Sequence, residues 1–199
     1  MKYCYRWSNS GFTLIEVLVV ISLMSILLSL AVPAIQSIIS RSTMRGISGD
    51  FTLALQRARS EAINRNMCVA VCMSSTANAA MPTCTVTGSN WGIGWVAFQM
   101  PSCGNVTAND PTPPPSPNPY PQTNETVVFI KEGFNDRYQL NAQTPVDRSI
   151  VFSPRGNAAS GPAKFNLVDS SVSSNDTINR TFCVDMAGRV RTLDYGSNC

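Results

Sequence analysis

Three sets of residues in this chain have types and spacings that could do chemistry. The first is Gly11-Phe12 with Glu16, an acid placed at the head of an uncharged run over residues 17–40. A carboxylate beside a membrane-length apolar stretch is costly in lipid and marks a functional position; its natural chemistry is pairing with a buried cation. The second is six of the seven cysteines, Cys68, Cys72, Cys84, Cys103, Cys183 and Cys199, able to form disulfides or bind metal, with Cys4 lying before the apolar run. The third is Arg180, Arg189 and Arg191, the last two following Gly188, whose guanidiniums suit phosphate oxygens. The 199 residues contain no histidine. That removes Ser-His and Cys-His catalytic pairs and every histidine metal site. Carboxylates do not cluster either, so we expect no catalytic residues, no cofactor, no metal site and no enzyme.

The elements that must position these groups follow from hydropathy. Residues 17–40 would span about 36 Å as a helix, enough to cross a bilayer core of about 30 Å with some tilt. Lys2 and Arg6 precede the span, which keeps the leader cytoplasmic and puts everything after residue 40 on the far side. Arg41 and Arg45 follow it and weaken that bias without reversing it. An ordinary signal peptide would carry a shorter apolar region with an Ala-x-Ala site after it, and none is present. Pro33 lacks an amide hydrogen and is expected to interrupt or kink the helix. Beyond the span, Met44, Ile47, Phe51, Leu55, Ala58 and Ala62 recur at steps of three and four, one helical stripe. One helix over roughly 13–66 is expected, amphipathic in its second half. Gly46 and Gly49 weaken it and would mark a bend or close packing.

Gly11-Phe12-Thr13-Leu14-Ile15-Glu16 with its basic leader and apolar helix resembles the signal sequence of type IV pilins and pseudopilins. That resemblance implies cleavage by a prepilin peptidase between Gly11 and Phe12 and N-methylation of Phe12. It implies that Glu16 pairs with the N-terminal amine of a neighbouring subunit. The resemblance divides the chain into a leader, residues 1–11, a transmembrane and assembly helix, 12–40, and a periplasmic domain, 41–199. It also implies an α+β fold, a lollipop in which the long helix packs on a C-terminal antiparallel sheet domain. With Lys2 and Arg6 lost, the mature chain carries 13 basic against 12 acidic side chains, too balanced for a global nucleic-acid field.

After the helix (41–66), residues 67–199 read as strands. Alternation and β-branched content mark Met67–Met73, Trp91–Gln99, Thr126–Lys131, Ser149–Ser153, Lys164–Val168, Arg180–Met186 and Arg189–Leu193, the last two joined through Ala187-Gly188. Residues 100–124 hold eight of the 13 prolines and read as a surface loop. Six cysteines in an exported domain read as disulfides with 15 possible pairings. Cys68 and Cys72 would lie about 13 Å apart on a strand and so cannot bond each other. We expect Cys183–Cys199, and for the rest Cys72–Cys84 and Cys68–Cys103, with zinc ligation as the alternative.

The helix end, Gly49-Asp50 through Cys72 with its Ala-Arg-Ser-Glu-Ala core, resembles the GspH/FimT family. So do Trp91-Gly92-Ile93-Gly94-Trp95, Ile150-Val151-Phe152-Ser153-Pro154-Arg155-Gly156 and Gly188-Arg189-Val190-Arg191. The long proline loop and the number of cysteines depart from that pattern. From the residues alone, Arg57, Arg59, Glu61 and Arg65 read as a solvated helix face, and Trp91 and Trp95 as packing residues. The resemblance implies a minor pilin that joins or primes a type IV pilus with other pilins. In FimT-type members the Gly-Arg-x-Arg element contributes to DNA uptake in natural transformation, which would make Gly188, Arg189 and Arg191, with Arg180 across the hairpin, a non-specific DNA contact. The alternatives are a structural tip-priming minor pilin of the FimU type and an H-type pseudopilin of type II secretion. The expected location is the bacterial inner membrane, single-pass, and then the pilus.

Overall fold

The computed structural model describes residues 12–80, 82–85, 87–100, 103–104, 127–143, 149–173 and 176–199, without the side chains of residues 33 and 34. The leader and nearly all of the proline-rich loop lie outside the described residues. The chain separates into two compact units, residues 1–42 and 43–199.

One helix, α1 (Leu14–Arg65), runs through both. Thr13 starts it, its Oγ1 accepting from the Glu16 amide at 3.3 Å. A side-chain oxygen there satisfies one of the donors left free at a helix start. The helix continues through Pro33 without a break. A proline removes one backbone donor, and the flanking turns carry the helix across it. The first part of α1 has an 18-residue window of mean hydropathy 2.6, with none of it buried, so it is long and apolar enough to cross a membrane. In the second unit the predicted stripe is the buried one. Phe51, Leu55, Ala58 and Ala62 are wholly inaccessible, and Met44 and Ile47 nearly so. Gly46 and Gly49 do not mark close packing. An added Cβ at either would meet nothing within 4 Å, so they face open space rather than a close neighbour.

The second unit carries two four-stranded antiparallel sheets. Sheet A has the order β3 (Val127–Glu132), β2 (Gly94–Met100), β1 (Cys68–Met73), β5 (Ser149–Phe152). Sheet B has the order β4 (Tyr138–Ala142), β6 (Ala163–Asp169), β7 (Arg180–Val184), β8 (Val190–Asp194). Strand β4 has no counterpart in the sequence reading. Tyr-Gln-Leu-Asn-Ala alternates correctly but carries little β-branched content, and its pairing with β6 makes it a strand. The expected Trp91 strand opens instead as a 3-10 turn, Trp91–Ile93, capped by Asn90 Oδ1 accepting from the Gly92 amide. Strand β7 ends at Val184, two residues early, because Asp185 and Met186 are taken into the hairpin turn.

Strand β1 is buried on both faces. Val69, Val71 and Met73 join the helix stripe and sheet B in the main core. Cys68, Ala70 and Cys72 join Val96, Phe98 and Val151 in a second cluster. Cys103 and Cys84 pack against that second face through the disulfides Cys68–Cys103 and Cys72–Cys84. Cys183–Cys199 ties the C-terminus to β7. Phe51 sits at the centre of the main core, edge-on to Trp91, Trp95, Phe165 and Phe182 at centroid distances of 5.1–5.7 Å. Both tryptophans are therefore packing residues, as their setting in the sequence suggests.

Candidate functional site

Two places gather the sequence-derived candidates, one in each unit. In the first unit, Phe12 is 82% exposed just before α1, and Glu16 lies exposed in the first helical turn. Gly11, on the other side of the expected cleavage point, lies outside the described residues. An acid in the first turn also suits the positive end of the helix dipole.

In the second unit the candidate site is the β7–β8 hairpin. Asp185 closes its turn: its carboxylate accepts from the Arg189 amide at 2.9 Å and from Arg189 Nε at 2.8 Å. These contacts hold the Asp185 carboxyl below its ordinary value, the Arg189 backbone N–H being the largest cause and the guanidinium adding to it against partial desolvation. The Arg189 side chain nevertheless stays 72% exposed. Arg191 is exposed and makes no ion pair among the described residues. It sits in β8 opposite Cys183, while Arg189, expected in the same strand, lies in the turn just before β8 begins at Val190.

Arg180 lies farther along the same hairpin. It pairs with Asp194 at the other end of the hairpin, three residues along β7 from Cys183, or about 10 Å. Its Nη1 donates to the Thr177 and Asn179 carbonyls and to Asp194 Oδ1. These contacts tie its guanidinium to the far end of the hairpin.

Arg59 also departs from the sequence reading, which placed it on a solvated helix face. Its Nε donates to the Gly156 carbonyl at 2.9 Å and its Nη2 to the Ala187 carbonyl at 3.0 Å. One guanidinium thus joins α1 to the turn after β5 and to the β7–β8 turn. Both turns need glycine. Gly156 has φ +79° and packs under Ile63; Gly188 has φ +72°, and a Cβ there would run into the Gly156 carbonyl oxygen. The Ala158 amide donates to Met186 O across the same junction. Helix, Gly156 turn and Gly188 turn, which the sequence shows as three separate motifs, are one contact in space. No periodicity reports it, because all three contributions come from turns and a side chain more than 90 residues away. The other helix charges behave as expected of an exposed face: Arg65 pairs with Glu61 one turn away, and Arg57 lies over the Phe129 ring.

A long helix whose second half is clasped by antiparallel sheets, with an apolar first half headed by Phe12 and Glu16, defines a pilin-type subunit. The prokaryotic N-terminal methylation motif matches over residues 8–32, covering Gly11, Phe12 and Glu16. The family Type II transport protein GspH matches over residues 48–188, and the chain belongs to that family. Two crystal structures of the type IV minor pilin FimU of Pseudomonas aeruginosa (strain PAO1) are similar. In space group P21 the identity is 15%, covering 77% of this chain and 90% of that one, with a TM-score of 0.50. In space group P65 the identity is 14%, covering 75% and 91%, with a TM-score of 0.48. At such identity the P21 likeness shows the pilin fold alone. No curated protein sequence matches significantly.

Proposed function

We propose that this protein is a minor type IV pilin that is cut before Phe12, methylated there, and incorporated into or used to prime a pilus. The observation that carries this reading is the methylation motif at residues 8–32 directly preceding a GspH-family domain. The apolar half of α1 holds the chain in the inner membrane, with the domain on the periplasmic side, until extraction into the filament. In the filament Glu16 neutralises the N-terminal amine of a neighbouring subunit, since two charges in an apolar helical bundle stabilise each other only as a pair. Prepilin peptidase and other pilins are the implied partners.

The β7–β8 hairpin adds a second role, non-specific binding of DNA for uptake. Its support is the exposure of Arg191 in β8 and of Arg189 in the turn just before it. Guanidiniums bind phosphates bidentately, and such binding is weakened steeply by salt. A gel shift of the chain against its Arg189→Ala/Arg191→Ala variant across a salt series tests this role. The double variant should bind more weakly and with a flatter salt dependence. Equal binding by both proteins, or none by the wild type, removes the DNA role and leaves a structural, tip-priming pilin. The family's description favours one other machine, type II secretion. A deletion strain that loses protein export while keeping its pili would assign the chain there.

A further inference from the structure

We infer that Arg155 is a third phosphate-binding cation of the hairpin edge, brought there by the Arg59-clasped contact between the Gly156 and Gly188 turns. The inference rests on the DNA-binding reading above and extends its site to a residue on a different sheet.

The placement comes from the backbone. Gly156 O lies so close to Gly188 that no Cβ fits between them, and Arg59 donates to the carbonyls of both turns. Arg155 immediately precedes Gly156, and Arg189 immediately follows Gly188. With consecutive Cα atoms about 3.8 Å apart, the two arginine Cα atoms are separated by no more than about 13 Å. Long side chains on both can reach one phosphodiester backbone from there. The turn that carries Arg155 is ordered by its own hydrogen bonds, Gly156 N–H to Ser153 O at 2.8 Å and Ser153 N–H to Asn157 O at 2.9 Å.

The charge inventory makes Arg155 more than a neighbour. Arg189 shares its guanidinium with Asp185, and Arg180 is held by Asp194. Arg155 and Arg191 are exposed and form no ion pair among the described residues. A phosphate that engages Arg189 must compete with a carboxylate whose pKa that same contact lowers. Among the described residues no carboxylate forms an ion pair with Arg155. The edge therefore has two unpaired cations flanking one shared cation, drawn from both sheets.

The test is binding of fluorescent duplex DNA by the full chain in non-ionic detergent, at salt concentrations from about 50 to 200 mM. For duplex DNA each phosphate contact contributes a factor of roughly 3.5 to the affinity lost over that fourfold range. Arg155→Ala should weaken binding and shrink the ratio of the two end-point Kd values by about that factor. Arg155→Lys, which keeps the charge, should restore most of the salt dependence. Arg45→Ala, fourteen residues before Arg59 and about 21 Å away along the helix axis, should bind as wild type does. If Arg189→Ala/Arg191→Ala weakens binding while Arg155→Ala leaves Kd and salt dependence unchanged, Arg155 is not part of the site and the DNA reading survives. If the wild type binds no DNA, both are overturned.

Discussion

At the scale of single residues, Asp185 and Arg59 show how a short polar contact sets the geometry of a basic edge. Asp185 orders the turn through the Arg189 amide while occupying part of the Arg189 guanidinium. Its folded-state pKa lies below the ordinary value of 3.8. A carboxyl shifted downward stabilises the fold fully above its unfolded pKa and loses that contribution as pH falls through the folded value. The stability difference between wild type and Asp185→Asn should therefore be constant above about pH 5 and shrink on acidification below about pH 4. Urea unfolding at a series of pH values reads this directly, and a difference independent of pH would contradict it. Arg59 illustrates what the sequence conceals. In Ala-Arg-Ser-Glu-Ala it looks like any helix-surface arginine, and only the approach of Gly156 and Ala187 gives it carbonyl partners. Gly188 was legible as a turn residue, but its contact with Gly156 was not, because the two belong to different sheets.

At the scale of elements, the helix was the most legible part. The stripe from Met44 to Ala62 follows the 3.6-residue period, and those positions are the buried ones. Seven of the eight strands correspond to predicted segments, with ends displaced by a few residues where turns claim them. Strand β4 escaped because its sequence has no strong strand former apart from Tyr138, and its pairing with β6 on one side and a bridge to Asn90 define it. The division of β1 into a core face and a cysteine-bearing face follows strand alternation, which also set Cys68 and Cys72 apart. Phe51 is wholly buried and meets four aromatic rings of the domain. Phe51→Ala should destabilise the domain by about 3–5 kcal/mol, the usual cost of emptying a buried aromatic site. Gly49→Ala, on the open face of the same helix, should stabilise it by up to about 1 kcal/mol. Chemical denaturation of the two variants should move the midpoint in opposite directions; shifts of the same sign would mean the two faces are wrongly assigned.

At the scale of the whole molecule, the chain joins a membrane-length apolar helix segment to a disulfide-tied domain of the GspH family. Phe12 and Glu16 fall inside the methylation motif, on which the proposed cleavage and methylation rest. The domain belongs to the GspH family, and the exposed arginines of its β7–β8 hairpin are the proposed DNA contact. The central claim is that the chain becomes a filament subunit, and mass spectrometry of sheared, purified pili tests it most directly. The account predicts a peptide beginning at N-methylated Phe12 in the wild-type filament fraction, and its loss from filaments of a Glu16→Ala strain. A chain recovered only from membranes with residues 1–11 still attached, or Glu16→Ala filaments carrying the peptide at wild-type levels, would contradict it.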